Sequence, residues 1–217
     1  MKDEPNIEIT PALLLRAYAS GVFPMADSAH SSDLSWIDPS RRGVLPLDGL
    51  HVPRRLARSF LTADVEVVID RDFSGVLDGC ADRTETWINP EIRRLYLALH
   101  RTGQAHSVEI RQGGLLVGGL YGVAIGAAFF GESMFSRVRD ASKFALIALI
   151  ARLRAGGFTL LDTQFVTPHL MRLGAVEISR REYQRRLKAA LARPAEFRAL
   201  PRDTSRQELL QLSAQTS

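Results

Sequence analysis

The sequence predicts an α/β (α+β) fold in which a mixed sheet is flanked by helices. Three observations lead to this prediction: helices with clear capping signals, apolar runs of strand length between them, and a Gly-Gly turn that joins two of these runs. Hydrophobic residues make up 46% of the 217 residues, which is typical of a globular protein with a packed core.

Five helices are predicted from the signals at their ends. Most begin after a Thr, Asn or Ser that can cap the first turn, and three of these carry proline at the first helical position. Glycine or proline follows the last turn of each helix. The predicted helices span residues 11–20, 90–102, 140–155, 168–173 and 179–193.

Five strands are predicted over residues 64–70, 106–111, 115–123, 127–133 and 159–165. In the first, Val65, Val67 and Ile69 alternate with polar residues, as in a half-buried strand. The middle runs are apolar on both faces, which indicates central strands covered on each side. Gly113 and Gly114 form the turn of a hairpin, and residues 127–165 form a strand–helix–strand unit.

Composition divides the chain into a small N-terminal lobe (1–60), a main α/β domain (61–194) and a polar C-terminal tail (195–217). The first ten residues are polar and acidic, unlike a signal peptide, and no apolar run is long enough to span a bilayer. The single cysteine, Cys80, cannot form an internal disulfide. We therefore expect a cytoplasmic protein that does not enter a membrane.

Basic residues are concentrated in the C-terminal third. Residues 152–206 contain 12 Lys and Arg against 5 Asp and Glu, whereas the rest of the chain contains 16 against 19. Such a surface suggests a polyanionic partner such as RNA, although a solvated helix face would produce the same composition. The candidate RNA contacts lie on the last predicted helix and are Arg180, Arg181, Arg185 and Arg186.

The sequence carries no motif for a metal, a cofactor or a catalytic nucleophile. Cys80 has no partner motif, and the Gly-x-Ser-x-Gly elbow, the P-loop and the dinucleotide fingerprint are absent. We therefore expect neither a metal nor a cofactor. The five histidines share no ligand spacing; they are His30, His51, His100, His106 and His169.

Three polar residues occupy strands that are otherwise apolar. Glu132 lies in the run FFGESMF (129–135), and Asp162 and Gln164 alternate along residues 160–165, which places them on the same side of one strand. A buried carboxylate is costly unless it is paired, so these residues are either structurally satisfied or functional. For Asp162, capping a helix or pairing with an arginine explains the position as well as catalysis does.

Several short motifs together resemble those of the bacterial leucyl/phenylalanyl-tRNA–protein transferases, over roughly residues 9–192. The most specific are GESMFS (131–136) and ASK (141–143), which lie between GGLYG (118–122) and DTQ (162–164). The upstream motifs are GVFP (21–24), WIDP (36–39) with Arg42, TWI (86–88) and HSVE (106–109).

The resemblance implies a GNAT-like domain that transfers leucine or phenylalanine, and less readily methionine, from aminoacyl-tRNA to proteins that begin with arginine or lysine. The product is a degradation signal of the N-degron pathway, and the reaction requires neither ATP nor a metal. The partners are then aminoacyl-tRNA and acceptor proteins, and we expect the enzyme to be a monomer.

The resemblance also assigns roles to residues. Gln164 and Asp162 are the expected catalytic pair: the Gln164 side-chain carbonyl accepts a hydrogen bond from the attacking amine, while Asp162 polarises and orients Gln164. Glu132 either balances the charge of the acceptor side chain or holds its amine. The other expected substrate contacts are the aromatic platforms Trp87 and Tyr96, the pocket residues Leu120, Leu149 and Leu161, and Trp36 and Ser136.

Two other functions fit parts of the sequence. An acetyl-CoA-dependent acetyltransferase on the same fold would carry a glycine-rich pyrophosphate-binding turn, but residues 136–142 contain no glycine. A non-catalytic tRNA-binding module would explain the basic third of the chain but would leave Glu132, Asp162 and Gln164 without a role.

Overall fold

The computed structural model describes residues 9–26, 28, 31 and 34–214. Within them the helices are α1 (Pro11–Ala19), α2 (Arg54–Thr62), α3 (Phe73–Ala81), α4 (Pro90–Arg101), α5 (Ala141–Ala155), α6 (Pro168–Arg172), α7 (Arg180–Leu191) and α8 (Arg206–Ala214). The strands are β1 (Phe23–Ala26), β2 (Leu34–Ile37), β3 (Arg41–Val44), β4 (Glu66–Ile69), β5 (Ala105–Gln112), β6 (Leu115–Ile125), β7 (Ala128–Ser136), β8 (Leu160–Gln164) and β9 (Val176–Ser179). His30 and both chain ends, parts of which entered the sequence predictions, lie outside the described residues.

The main sheet has seven strands in the order β4-β5-β6-β7-β8-β3-β9. All neighbouring strands are antiparallel except β7 and β8, which are parallel and are connected through α5. This arrangement confirms the predicted GNAT-like mixed sheet with flanking helices, including the hairpin at Gly113-Gly114 and the strand–helix–strand unit. A separate two-stranded sheet is formed by β1 and β2.

The five helices predicted from the sequence are all present, and local hydrogen bonds explain most of their starting points. The side chains of Thr10, Asn89, Thr167 and Ser179 each accept a hydrogen bond from a backbone N–H in the first turn. The start of α5 differs, because Asp140 has φ +65° and makes no side-chain cap. Its carboxylate instead binds the Lys143 ammonium at 2.6 Å.

The sheet separates two hydrophobic clusters. On one side α1, α3, α4 and α7 pack on the sheet, with residues such as Tyr18, Leu77 and Leu95 fully buried. On the other side lies α5, whose residues from Phe144 to Leu153 are nearly all buried together with parts of α2 and α8. Because α5 is covered on most of its circumference, it fixes the position of β7 and β8, between which it runs.

Two segments pack more closely on the main domain than their composition indicates. The strand β3, which falls within the predicted small lobe (1–60), pairs with β8 and β9 of the main sheet. In the predicted polar tail (195–217), Phe197 and Leu209 are buried, and α8 packs against α5. A few apolar residues at the right spacing therefore anchor a segment that is polar on average.

Candidate active site

A cavity of about 350 Å³ opens where β7 and β8 separate. The parallel pairing of these strands ends at Phe130 and Asp162, and both chains continue beyond that point. Glu132 lies on the diverging part of β7, where a bulge against β6 leaves it without a direct partner, and Gln164 ends β8. The strands β7 and β8 are therefore paired at one end and separate at the other, and the cavity lies between Glu132 and Gln164 where they separate.

Glu132 and Gln164 are hydrogen-bonded across the cavity. The Gln164 Nε2 amide donates to Glu132 Oε1 at 2.9 Å, and the Tyr96 hydroxyl donates to Glu132 Oε2 at 2.8 Å. The Tyr18 and Tyr96 hydroxyls are also hydrogen-bonded to each other. In its ionised form Glu132 only accepts hydrogen bonds, so it fixes the Gln164 amide with its nitrogen inward and its oxygen free to accept from another group.

Burial raises the pKa of Glu132 from an ordinary value of 4.5 to about 7, although the tyrosine hydroxyls partly oppose this shift. Between pH 4.5 and about pH 7 the folded protein retains a proton on Glu132 that the unfolded chain loses. The contribution of Glu132 to the free energy of unfolding is therefore largest below pH 4.5 and decreases as the pH rises to about 7. We expect the wild-type free energy of unfolding to lose roughly 3 kcal/mol over that range, relative to Glu132→Gln. Chemical denaturation of both proteins at several pH values measures this difference, and parallel curves would contradict it.

Asp162 is fully buried in an ion pair with Arg42. The Arg42 Nη2 atom lies 2.6 Å from Asp162 Oδ2, and the Tyr183 hydroxyl donates to the same oxygen at 2.7 Å. The Arg42 guanidinium also lies 4.5 Å from the ring centroids of Phe23 and Tyr183. The arginine pairing that the sequence left open for Asp162 is therefore present.

The contact between Asp162 and Gln164 differs from the expected one. Asp162 Oδ1 accepts from the backbone N–H of Gln164 at 2.7 Å, and Asp162 is not part of the cavity wall. Gln164 has φ +59°, a left-handed conformation that is uncommon for residues other than glycine. The two side chains therefore do not follow the regular alternation of a strand, which would place them on the same side. Asp162 instead holds the backbone at Gln164 in place.

The three leucines expected to bind the aminoacyl side chain meet at this cavity. Leu120, Leu149 and Leu161 line the same cavity as Glu132 and Gln164, although they come from β6, α5 and β8. Trp87 also lines it. Two further wall residues that the sequence did not indicate, Tyr121 and Thr163, have buried hydroxyls without a hydrogen-bond partner among the described residues. The cavity thus combines an apolar wall with a small number of available polar atoms.

Three expected substrate contacts lie elsewhere. Tyr96 is fully buried with its ring edge-on to Tyr121, so it offers no face for stacking, and its hydroxyl supports Glu132 instead. Trp36 is exposed on β2 and does not line the cavity, although Met25 of the neighbouring strand β1 does. Ser136 lines a neighbouring cavity at the end of β7. These three residues are therefore not part of the cavity wall, and their contacts with substrate stay predictions.

The arginines of α7 differ in how far they are already paired. Arg180 contacts the Asp38 carboxylate at 3.1 Å, and Arg185 and Arg186 both bind Glu182 at 2.7 Å. Arg181 is exposed and forms no ion pair with any described residue. Elsewhere in the basic third, Arg152, Arg198 and Arg206 bind carbonyl or carboxylate oxygens of this chain. Part of the basic excess therefore has a structural role.

A sequence model described as leucyl/phenylalanyl-tRNA protein transferase matches residues 44–188, and one described as the N-terminal domain of that protein matches residues 7–40. The chain belongs to this transferase family. Curated leucyl/phenylalanyl-tRNA–protein transferases from Cereibacter sphaeroides and Ruegeria pomeroyi are 58% and 57% identical, over 96% and 97% of this chain and 98% and 100% of their own. As a member of the family, the protein is an aminoacyl-tRNA–protein transferase.

The solved structure of FemX shares the fold of this transferase, with a TM-score of 0.52 at 12% identity. The match covers 76% of this chain and 66% of FemX. In residues 9–26, 28, 31 and 34–214 of the transferase, no helix has the length and apolar character needed to cross a membrane. The same residues contain no group of three or more His, Cys, Asp or Glu side chains placed to hold a metal ion.

Proposed function

We propose that the enzyme moves leucine or phenylalanine, and less readily methionine, from aminoacyl-tRNA to the N-terminal arginine or lysine of proteins. It acts as a monomer in the cytoplasm, and its product is a signal for degradation by the N-degron pathway. The observation that carries the proposal is that the Gln164–Glu132 pair shares one cavity with Leu120, Leu149 and Leu161. That cavity can hold an apolar aminoacyl side chain beside a hydrogen-bond acceptor for an amine.

The reaction needs only positioning from these groups. The acceptor nitrogen attacks the ester carbonyl carbon, the amide bond forms, and the bond to the ribose oxygen breaks while a proton passes from the amine to that oxygen. An α-amine with a pKa of about 7.7–8.0 is partly neutral at pH 7, so no strong base is required. Gln164 Oε1 accepts a hydrogen bond from the amine, and holding both reactants together supplies much of the rate.

Glu132 supports the same reaction in two ways. When ionised, its carboxylate fixes the orientation of the Gln164 amide, and its negative charge favours an acceptor that carries a cation at its N-terminus or in its first side chain. Asp162 acts as a positioning residue, because it is tied to Arg42 and to the Gln164 backbone and not to the cavity.

The tRNA body is proposed to contact α7 through Arg180, Arg181, Arg185 and Arg186. All four lie on one helix, and exposed guanidinium groups favour contacts with phosphates. Arg181 is the most available of them, since it has no ion-pair partner among the described residues.

The direct test incubates the purified protein with labelled leucyl-tRNA and a peptide that begins with arginine, without ATP. We expect the label to move to the peptide and the charged tRNA to be consumed. A matched peptide that begins with glutamate is the control for acceptor choice. Retention of intact leucyl-tRNA would indicate a tRNA-binding module instead, and binding of coenzyme A would indicate an acetyltransferase.

Amino-acid choice gives a second test of the cavity. Leu120, Leu149 and Leu161 form an apolar wall that offers no partner for a charge, so the cavity should reject charged aminoacyl groups. Leucine and phenylalanine are unbranched at the β-carbon, whereas isoleucine carries an extra methyl group there. We expect transfer from leucyl-tRNA to be at least about tenfold faster than from isoleucyl-tRNA, through steric exclusion. Equal rates at equal concentrations of the two donors would rule out a narrow pocket entrance.

A further inference from the structure

A second cavity of about 340 Å³ adjoins the first, and its lining is basic. The two cavities share Arg83, Met134 and His169 as wall residues. The second is also lined by Arg137, while Asp82 is the acidic residue in its wall. It therefore carries two guanidinium groups against one carboxylate, directly beside the proposed reaction site.

The polar groups around this second cavity are only partly used: Arg83 donates to the Met134 carbonyl and Arg137 to the Leu116 carbonyl, and each guanidinium has five N–H donors. Arg137 is half-exposed and lies 3.8 Å from the Asp82 carboxylate, longer than a good hydrogen bond. The Ser142 side chain is nine-tenths buried, and its hydroxyl makes no hydrogen bond to any described residue. The field is also positive: burial lowers the pKa of His169, and the charges of Lys143 and Arg172 lower it further.

We propose that this second cavity binds the phosphate attached to the 5′ carbon of the terminal nucleoside of the aminoacyl-tRNA. The inference rests on the proposed function. The aminoacyl ester and that phosphate are attached to the same ribose, so a phosphate site must lie within one sugar of the reacting carbonyl. Arg137 and Arg83 supply charge-assisted donors for phosphate oxygens, and Ser142 supplies a further donor.

The positive charge of the second cavity also determines which of the two substrates binds there. An acceptor that begins with arginine or lysine would be repelled by Arg137, which lines the second cavity and not the first, whereas an RNA phosphate is attracted. The acceptor therefore approaches Gln164 from another direction, and the two substrates do not compete for the basic cavity.

The test compares two small donors that differ by one phosphate: 3′-O-leucyl adenosine and 3′-O-leucyl adenosine 5′-monophosphate. With an arginine-initiated peptide, wild-type kcat/KM should be at least about tenfold higher for the phosphorylated donor, as expected for a hydrogen bond to a charged group. Arg137→Gln and Ser142→Ala should reduce this ratio and leave kcat/KM for the adenosine donor nearly unchanged. Arg139→Gln is the matched control, since Arg139 is 80% exposed and does not line the cavity.

An equal kcat/KM for both donors in the wild type would overturn the phosphate site. So would an unchanged ratio in Arg137→Gln, or an equal loss with both donors. Transfer from leucyl-tRNA is measured in the same preparation. Its absence in the wild type would refute the proposed function itself, which separates that failure from failure of the phosphate site.

Discussion

Replacing Gln164 with alanine should reduce the rate of transfer by about 10²-fold or more in a protein that still folds. The rate falls because the attacking amine loses the amide oxygen that the Glu132 contact holds toward the cavity. The free energy of unfolding should fall by about 1–3 kcal/mol, because the buried Glu132 carboxyl group loses one hydrogen bond. The left-handed backbone adds little to this cost, since it is similar with glutamine and with alanine. Single-turnover transfer and thermal unfolding measure the two quantities.

The matched control for this variant is Gln112→Ala, at an exposed position in the β5–β6 hairpin. It should leave both rate and stability unchanged. Gln164→Glu adds information, since it nearly preserves the shape of the side chain but removes the amide donor and brings a second carboxyl group to Glu132. We expect it to be inactive at pH 8. Wild-type turnover by a folded Gln164→Ala protein would exclude Gln164 from the reaction.

The helices show what the sequence predicts well. Four of the five predicted helices have a polar side-chain cap, and three of them also have proline in the first turn; both signals are local. The helices α2, α3 and α8 are not among those predicted. The helix α2 begins after Pro53 without a side-chain cap, and α3 contains Gly75 and Gly79, which resemble a loop, whereas the start of α8 has a local cap at Ser205. In α3 the Asp72 side chain does cap the Gly75 N–H, so a local signal was present there. The strands β1, β2, β3 and β9 have four residues each and are not among those predicted. The strand β4 is as short, but it lies within a seven-residue alternating run, which is long enough to be recognised.

The site shows the limit of local patterns. The resemblance to the transferase family indicates Glu132, Gln164 and the leucine pocket, because these roles are carried over position by position. It does not reveal that Asp162 contacts Arg42 across 120 residues, since that pairing depends on β3 entering the sheet beside β8. The burial of Tyr96 is likewise a property of tertiary packing, although its helical spacing with Ile92 and Leu99 already placed it on the buried face of α4.

Replacing Arg42 with methionine should destabilise the protein by about 3–5 kcal/mol and also lower the rate of transfer. The cost is large because the substitution leaves the Asp162 carboxylate fully buried without its countercharge. Arg42 also donates to the Gly21 carbonyl, which would lose a partner. Transfer should slow because Asp162 holds the backbone of Gln164 through a hydrogen bond. A buried carboxylate without its countercharge would move, and the position of Gln164 would change with it.

The neighbouring Arg41→Met is the matched control for Arg42→Met, since the same change is made one residue earlier on β3. The Arg41 side chain is 59% exposed and lies 3.6 Å from an exposed Glu177, so this pair should contribute at most about 1 kcal/mol. A double-mutant cycle with Asp162→Asn separates the pair from its surroundings. If the ion pair carries the effect, the double variant should be less destabilised than the sum of the two single variants, by at least about 1 kcal/mol. Additive losses, or an Arg42→Met protein as stable as Arg41→Met, would show that Asp162 is held by Tyr183 and the backbone alone.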